Sequence, residues 1–258
     1  MENIIDVNAI AFRYEKKNIF DNLSVTLKKG DFCSILGPNG SGKTTFIKCI
    51  AGILNPSSGT IKIQGKEIKD FDIKEKAKKI AYVPQNQYFV FDITVYEYVM
   101  MGRNPYQSPW KLEMNNDREI VENILLQCNI MQYKDTSIHS LSGGEFQRVM
   151  IARAMAQETD ILLLDEPLSN IDISHKFEIM DILRQQNQTK CITILIILHD
   201  LTIAHLYSKQ IMFIKDGKIL DFGDKNAVLN EKNIRESFDL GERYIIKNDG
   251  CITISKYK

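Results

Sequence analysis

The strongest local signal of the fold is the octet Gly37-Pro38-Asn39-Gly40-Ser41-Gly42-Lys43-Thr44, which fits the pattern GxxxxGK[ST]. It stands between an apolar run at residues 31–36, which predicts a strand, and residues 44–53, whose apolar side chains recur at helical spacing. Glycines let a backbone wrap closely around an anion, and the N–H groups at the start of the next helix face it. In such a loop Lys43 reaches the β- and γ-phosphates, and the Thr44 hydroxyl joins the shell of a magnesium ion. The segment therefore predicts a phosphate-binding loop in an α/β protein.

A pair of acids, Asp165 and Glu166, ends the apolar run at residues 161–164. Ligands of open α/β sheets collect at the carboxyl ends of the strands, so we expect Asp165 to lie near the phosphate loop. Adjacent side chains at a strand end point in different directions, which makes Asp165 the candidate magnesium ligand and Glu166 the candidate general base. Two acids that merely begin a loop before Pro167 are the alternative, which the phosphate loop disfavours.

A second candidate anion site opens another predicted helix, where residues 141–148 read LSGGEFQR. The start of a helix that carries Ser142, Gly143 and Gly144 favours negative charge for the same reason as the first loop. Two such sites on one chain suggest a homodimer in which each ATP touches both copies, although SGGE alone also fits an ordinary helix N-cap. Together the three motifs resemble the signature set of the ABC ATPases, and the resemblance covers residues 1 to about 225.

The resemblance implies further site residues. Gln85 is similar to the family's glutamine loop, which senses the γ-phosphate region and meets the transport partner. His199 resembles the switch histidine that contacts the γ-phosphate, although Leu198 before it departs from the small or hydroxyl residue often found there. Tyr14 stands where the family stacks an aromatic ring on adenine, while packing within the sheet is the alternative. Residues 169–172, Ser-Asn-Ile-Asp, resemble the loop that crosses the dimer interface, with isoleucine in place of leucine as a mild departure.

The candidate residues fall into three sets. The expected contacts of ATP are Tyr14, Gly37, Pro38, Asn39, Gly40, Ser41, Gly42, Lys43, Thr44, Thr45, Ser142, Gly143, Gly144 and Asp172. The expected Mg²⁺ ligands are Thr44, Gln85 and Asp165, and the expected catalytic residues are Glu166, His199 and Gln85.

The order of predicted elements indicates an α/β fold. Strand patterns at residues 4–14 and 23–27 precede the loop, helical patterns fill most of residues 94–157, and strands alternate with helices from residue 160 to 222. With the resemblance, this implies a P-loop NTPase core with a mixed sheet, an N-terminal antiparallel β region and an inserted all-helical subdomain. We expect one ABC ATPase domain over residues 1–258, with its core at about 1–86 and 159–225, a helical subdomain at about 87–158 and a C-terminal extension with a hairpin at about 226–258.

Composition excludes several classes of protein. The 258 residues include 33 basic and 33 acidic side chains, so the basic surplus typical of nucleic-acid binding is missing. The longest apolar run, residues 191–198, is far shorter than the roughly 18 residues of a membrane span, and the N-terminus does not read as a signal peptide. The 5 cysteines are scattered and never in CxxC spacing, which favours neither a metal nor a disulfide framework. We therefore expect a cytosolic protein without a nucleic-acid partner.

Three classes of ABC ATPase remain for comparison. A chromosome or DNA-repair ATPase needs a long coiled coil between Gln85 and Ser142, and this interval is too short for one. Translation ATPases usually carry two ATPase domains on one chain, whereas a single phosphate loop is present here. The sequence therefore favours the ATP-hydrolysing subunit of a transporter. Its expected partners are a second copy, separate membrane permease subunits and, indirectly, a substrate-binding protein, at the cytoplasmic face of the membrane.

Two sequence segments narrow the expected class of transporter. Met101-Gly102-Arg103-Asn104-Pro105-Tyr106 resembles a stretch in subunits that serve iron-siderophore, haem and cobalamin importers, and residues 151–159 point the same way. Generic residues of the helical subdomain are the alternative explanation. An importer of a metal chelate is therefore expected, while a zinc or manganese importer and an export-type transporter stay open.

Residues 86–106 are rich in large apolar and aromatic side chains. Some of these must pack inside the helical region, and the remainder would leave an apolar groove of the kind that marks a partner site. We expect this groove to dock a cytoplasmic helix of the permease, with core packing as the alternative.

Overall fold

The computed structural model describes residues 2–15, 17–85, 91–107, 115–242, 244–248 and 252–256. The chain forms two compact units: Met1–Asp70 with Thr193–Lys258 makes the first, and Phe71–Ile192 makes the second. The predicted helical subdomain at residues 87–158 falls within the second unit. Its limits against the predicted core stay a prediction.

The helices and strands follow one another in three stretches. The first unit begins with β1 (Asn3–Tyr14), β2 (Lys17–Lys28), β3 (Phe32–Leu36), α1 (Lys43–Ile50), β4 (Ser58–Ile63) and β5 (Lys66–Glu67). The second unit contains α2 (Ile73–Ala77), β6 (Ile80–Val83), α3 (Val95–Met100), α4 (Asn115–Gln127), α5 (Gly143–Ala156), β7 (Ile161–Leu164) and α6 (Ile173–Lys190). The first unit then continues with β8 (Thr193–Ile197), α7 (Leu201–Tyr207), β9 (Gln210–Lys215), β10 (Lys218–Asp224), α8 (Lys225–Val228), α9 (Glu231–Phe238), β11 (Tyr244–Asn248) and β12 (Ile252–Lys256).

An antiparallel sheet with the strand order β2-β1-β4-β5 forms one part of the first unit. In its register Ile5 pairs with Leu27 on one side and Ile63 on the other, and Val7 pairs with Ile61. All five side chains are buried, because alternate residues of neighbouring strands share one face of a sheet. The predicted N-terminal antiparallel β region is confirmed.

A second sheet of the first unit places the phosphate loop. Its strands β10, β9, β3 and β8 lie side by side in that order. Strand β3 runs parallel to β8 and β9, whereas β10 runs antiparallel to β9, so the predicted mixed sheet is confirmed. Every residue of β3 and β8 is buried, as is typical of parallel strands that are covered on both faces. The carboxyl end of β3 leads directly into residues 37–44.

In the second unit, β6 and β7 form a parallel pair. Ile80 lies opposite Ile161, and Val83 lies opposite Leu164. Because the two strands run in the same direction, the residues that follow them leave from the same end of the pair. This end carries Gln85, the predicted magnesium ligand Asp165 and the predicted general base Glu166.

Helices α3, α4 and α5 pack against one another in the same unit. They bury apolar side chains that include Tyr98, Val121, Leu125, Val149 and Ile151. Helix α5 buries residues 147–152 and 154–156, so it is covered on nearly all sides, as is typical of a helix inside a packed group. The predicted all-helical insertion is confirmed.

The C-terminal strands β11 and β12 pair antiparallel, with Lys247 opposite Thr253. Residues 249–251, which separate these strands in the predicted C-terminal hairpin, lie outside the described residues. In the part of the chain that the structure describes, no helix combines the length and the apolar character that a bilayer crossing requires.

Candidate functional site

The glycines of the phosphate loop adopt backbone conformations that other residues avoid. Gly37 has a φ of +145°, and a Cβ at this position would lie 1.9 Å from the carbonyl oxygen of Ile214. Gly42 has a φ of +99° and is the N-cap of α1, and a Cβ there would lie 3.1 Å from Ile19. Glycine suits both positions, because a side chain at Gly37 would collide with the backbone of β9 and one at Gly42 would be strained at its positive φ. The loop thereby brings its backbone to the start of α1, where N–H groups have no partner within the helix.

Two polar side chains of this loop, those of Lys43 and Ser41, are buried. Lys43 is buried, and its ammonium donates to the carbonyl oxygens of Gly37 at 2.8 Å and Pro38 at 2.7 Å. Ser41 Oγ is also buried, and no hydrogen-bond partner for it is present among the described residues. Since a buried hydroxyl without a partner costs about 1–3 kcal/mol, it indicates a position that a ligand oxygen completes. The loop therefore fits an anion with several oxygens, such as a nucleotide phosphate.

The remaining residues of the loop differ in exposure. Thr44 is half-buried and Thr45 is buried in α1, while Asn39 and Gly40 are exposed at the turn. The loop thus presents both a covered inner side and a solvent-facing tip.

His199 leaves the sheet from the same end as the phosphate loop. Ile35 in β3 pairs with Ile197 in β8, and the N–H of Leu198 donates to the carbonyl oxygen of Ile35 at 3.1 Å. Gly37 and His199 each follow two residues after this pair. The exposed His199 side chain therefore stands at the strand edge where the loop begins.

Asp200 has a role that sequence reasoning missed. Its carboxylate accepts hydrogen bonds from the backbone N–H groups of Thr202 at 2.8 Å and Ile203 at 3.0 Å, and so caps α7. An aspartate directly before a helical pattern is the signal that predicts such a cap. The cap fixes the direction of the chain immediately after His199.

Tyr14, at the end of β1, is accessible. Its side chain is 47% exposed, and its ring packs edge-on against Phe12 with centroids 4.8 Å apart. Packing in the sheet thus covers only part of the ring. The exposed part is open to a flat ligand, as the predicted stacking on adenine requires.

Asp165 is buried at the end of β7. It accepts a hydrogen bond from the hydroxyl of Tyr82, 3.1 Å from Oδ2, and Tyr82 lies on the neighbouring strand β6. Burial, and then the negative charge of Asp165, raise the pKa of Tyr82 well above its ordinary value. Tyr82 was missed at the sequence level because nothing in a four-residue strand pattern shows which side chain faces an acid on the next strand.

Glu166 and Gln85 are brought together in the second unit. Gln85 Nε2 donates to Glu166 Oε2 at 2.6 Å, and Ser169 Oγ lies 3.4 Å from the same oxygen. Glu166 has a φ of +49°, in the left-handed region. This conformation turns the chain directly after Asp165. The two acids contact different side chains, since Asp165 accepts from Tyr82 and Glu166 accepts from Gln85.

The predicted second anion site begins α5. Ser142 is the N-cap and forms a capping box with Glu145: the serine N–H donates to the carboxylate at 2.8 Å, and the N–H of Glu145 donates to Ser142 Oγ at 3.4 Å. Hydrogen bonds, from Tyr133 first and then from Ser142, lower the pKa of Glu145 to about 2. Ser142 is therefore an ordinary helix N-cap, which is the alternative interpretation of SGGE. The cap does not account for Gly143 and Gly144.

Gly144 and Gly143 lie close to the residues that follow β7. A Cβ on Gly144 would lie 2.9 Å from the ring of His175, and one on Gly143 would lie 4.0 Å from the carbonyl oxygen of Asn170. The helix start thus adjoins the loop at residues 169–172 within the second unit. Asp172, at the end of that loop, is exposed, and its side chain makes no capping hydrogen bond to α6.

The stretch at residues 101–106 has a clear structural role. Arg103 is buried, pairs with Asp117 at 2.9 Å and Glu158 at 2.6 Å, and donates to the carbonyl oxygen of Ala156 at 2.7 Å. Its guanidinium lies 4.3 Å from the centre of the Tyr106 ring. Arg103 therefore links three segments of the helical region by ion pairs and a hydrogen bond. These contacts support the alternative that residues 101–106 are a structural element of the helical subdomain.

The predicted apolar groove is described only in part. Residues 86–90, which include Tyr88, Phe89 and Val90, lie outside the described residues. Of the others, Tyr98 and Met100 are buried, so they pack the core of the helical region. Large apolar side chains that remain exposed are Phe91, Met101 and Tyr106.

Comparison with known proteins agrees with this fold. The profile of the family described as ABC transporter matches residues 20–169. An uncharacterized ABC transporter ATP-binding protein of Methanocaldococcus jannaschii is 40% identical over 232 residues, 90% of each chain. The petrobactin import ATP-binding protein FpuD of Bacillus anthracis is 34% identical over 238 residues, 92% of this chain and 87% of that protein. A chain of an inward-facing, metal-chelate type ABC transporter matches with a TM-score of 0.83 at 25% identity, over 98% of this chain and 96% of that one.

The mixed α/β fold with its phosphate loop is therefore that of an ATP-binding cassette. The chain belongs to the ABC transporter family, whose members hydrolyse ATP to drive transport. The predicted resemblance to the ABC ATPases is confirmed, and with it the binding of ATP.

Proposed function

We propose that this chain is the ATP-hydrolysing subunit of an importer for a metal chelate of the iron-siderophore, haem or cobalamin type. The observation that carries the proposal is the likeness to a petrobactin import protein, which extends over 92% of the chain. A likeness of this extent includes the helical region as well as the nucleotide-binding motifs. The segment at residues 101–106 is weaker support for this substrate class, since Arg103 has a structural role.

The residues take the roles that the motifs assign. The backbone of residues 37–45 and the ammonium of Lys43 bind the phosphates, and Tyr14 stacks on adenine. Glu166 accepts a proton from the attacking water, while Gln85 and His199 lie at the γ-phosphate. The contact between Gln85 and Glu166 supports this assignment, because a general base must be held in one direction to act on one water.

A magnesium ion fits the donor set. Thr44 and Asp165, with Gln85, offer hydroxyl, carboxylate and amide oxygens, which are the ligands that Mg²⁺ prefers. The buried Ser41 hydroxyl, for which the described residues provide no partner, supports a site built for phosphate oxygens. The ion would neutralise charge on the phosphates during hydrolysis.

Two copies of the chain would act together, with Ser142, Gly143, Gly144 and Asp172 of one copy completing the ATP site of the other. The exposure of Asp172 and the two glycines at the start of α5 support this arrangement. Permease subunits and a separate substrate-binding protein complete the importer, and the chain acts at the cytoplasmic face of the membrane without a nucleic-acid partner. The glutamine loop and the exposed apolar side chains after it are proposed to meet the permease.

Deletion of the gene, followed by uptake of radiolabelled ferric siderophores, haem and cobalamin, tests the substrate class. We expect uptake of one chelate class to fall, and wild-type protein to restore it. Glu166→Gln should fail to restore it, whereas Glu119→Gln, which alters an exposed acid of α4, should succeed. A defect confined to zinc or manganese uptake, or to export, would contradict the proposal.

A further inference from the structure

Asp165 is held by β6 at two points. Its backbone N–H donates to the carbonyl oxygen of Val83 at 2.9 Å, and its carboxylate accepts the hydroxyl of Tyr82 at 3.1 Å. Tyr82 pairs with Leu163, and alternation along β7 puts Asp165 on the same face as Leu163. The register of the two strands therefore brings the phenol beside the acid.

The Tyr82 hydroxyl is the donor of this hydrogen bond, since a phenolic O–H donates and a carboxylate oxygen accepts. A phenylalanine would fill nearly the same volume in β6, and packing alone does not require the hydroxyl. Its evident partner is Oδ2 of the buried carboxylate.

We propose that Tyr82 is a positioning residue for the nucleotide-bound metal: its hydroxyl fixes the Asp165 carboxylate in the orientation that binds the ion. The inference rests on the proposed role of Asp165 as a Mg²⁺ ligand. A carboxylate has two oxygens, and a donor on one of them limits rotation of the group and leaves the other directed elsewhere. Loss of a hydrogen bond that orients a metal ligand typically lowers metal affinity by about 10–100-fold.

The test uses Tyr82→Phe in the full chain, with Mn²⁺ in place of Mg²⁺ as the probe. The protein is saturated with a non-hydrolysable ATP analogue, and unbound Mn²⁺ is measured by electron paramagnetic resonance. We expect the dissociation constant of Mn²⁺ to rise about tenfold, while the affinity for the analogue in EDTA stays that of wild type. Thermal unfolding without nucleotide checks that the variant is folded.

Tyr98→Phe is the matched control, since it also removes one phenolic hydroxyl from the second unit, and the hydroxyl of Tyr98 lies 3.5 Å from Arg153 rather than near Asp165. This variant should bind Mn²⁺ as wild type does. Wild-type Mn²⁺ affinity in Tyr82→Phe, or an equal loss of analogue binding in EDTA, would overturn the role of Tyr82.

Asp165→Asn separates this inference from the proposed function. Weak Mn²⁺ binding in Asp165→Asn together with wild-type binding in Tyr82→Phe rejects only the positioning role. Wild-type binding in Asp165→Asn rejects Asp165 as the metal ligand and with it the positioning role of Tyr82, whereas the proposed importer function rests on the likeness to the petrobactin import protein and is tested by uptake.

Discussion

Gln85 Nε2 donates a hydrogen bond to Glu166 Oε2 over 2.6 Å. The two residues follow adjacent parallel strands, β6 and β7, and leave them from the same end. The amide therefore fixes the direction in which the candidate general base points. A displacement of the glutamine loop would move this base, which gives a physical route from a partner at that loop to the rate of hydrolysis.

Replacement of Glu166 by glutamine should stop turnover while ATP still binds. An amide does not accept a proton from water, but the contacts of Lys43 and the loop backbone do not depend on Glu166. We expect hydrolysis in a single turnover to fall at least about 100-fold, the lower range for loss of a general base. Gel filtration with ATP should then show an accumulated nucleotide-bound dimer.

Glu119→Gln is the control for this substitution, because it removes an exposed carboxylate from α4 and should leave hydrolysis unchanged. Near-normal hydrolysis by Glu166→Gln would show that another group is the base.

A mixed dimer tests the shared ATP site. Combining a Lys43→Ala copy with a Ser142→Arg copy puts both defects into one composite site and leaves the other intact. We expect the mixture to show ATPase activity that neither variant shows alone, provided that one intact site turns over. Wild-type hydrolysis by a protein that stays monomeric at all concentrations would refute the shared ATP site.

Much of this fold and site could be predicted from the sequence because the motifs constrain the backbone locally. The glycines at residues 37–42 fix a loop whatever surrounds it, and the apolar run before Asp165 defines a buried strand. Contacts between strands are different, since they depend on register. Tyr82 meets Asp165 only because Ile80 pairs with Ile161 and not with a neighbour, and no local pattern specifies this pairing.

The role of Arg103 could not be predicted for a related reason. Its partners Asp117 and Glu158 lie in separate segments of the chain, and only the packing of the helices brings them together. In the sequence, Arg103 belongs to a segment that resembles iron-siderophore, haem and cobalamin importers. In the structure, it belongs to a buried ion-pair network.

Gly37→Ala should destabilise the protein strongly. A Cβ at this position would lie 1.9 Å from the carbonyl oxygen of Ile214, and the backbone of β9 would have to shift to make room. Gly40→Ala is the comparison, since nothing lies within 4 Å of its Cβ position and only the backbone conformation at a φ of +79° opposes it. The cost at Gly40 should be about 1–2 kcal/mol, and that at Gly37 clearly larger.

Urea unfolding of both variants without nucleotide measures this difference. An equal loss of stability in the two variants would mean that the close approach of Gly37 to β9 is relieved at little cost.

Arg103→Met should lower the free energy of unfolding by about 3–5 kcal/mol, because it leaves the buried carboxylate of Asp117 without its partner. Arg184→Met alters an exposed arginine of α6 and should change stability by less than about 0.5 kcal/mol. Denaturant unfolding provides both values. A loss at Arg103 as small as that at Arg184 would show that the network contributes little.

The capping box of α5 should make stability depend on pH in the acid range. Hydrogen bonds from Tyr133 and Ser142 lower the pKa of Glu145 to about 2 in the folded protein, against an ordinary value of 4.5. A group whose pKa is lowered by folding stabilises the folded state fully above its unfolded pKa, and loses that contribution as the pH falls through the folded value. The contribution of Glu145 should therefore be constant above about pH 5.5 and decline between pH 4.5 and 2.

Urea midpoints of the wild type and of Glu145→Gln, measured from pH 6 down to pH 3, isolate this contribution, because glutamine does not titrate. The advantage of the wild type should be largest at pH 6 and shrink steadily below pH 4.5. Tyr133→Phe removes the larger cause of the low pKa, so the pH-dependent part of the advantage should be smaller in that background. An advantage that stays constant from pH 6 to 3 would show that the charge of Glu145 does not stabilise the start of α5.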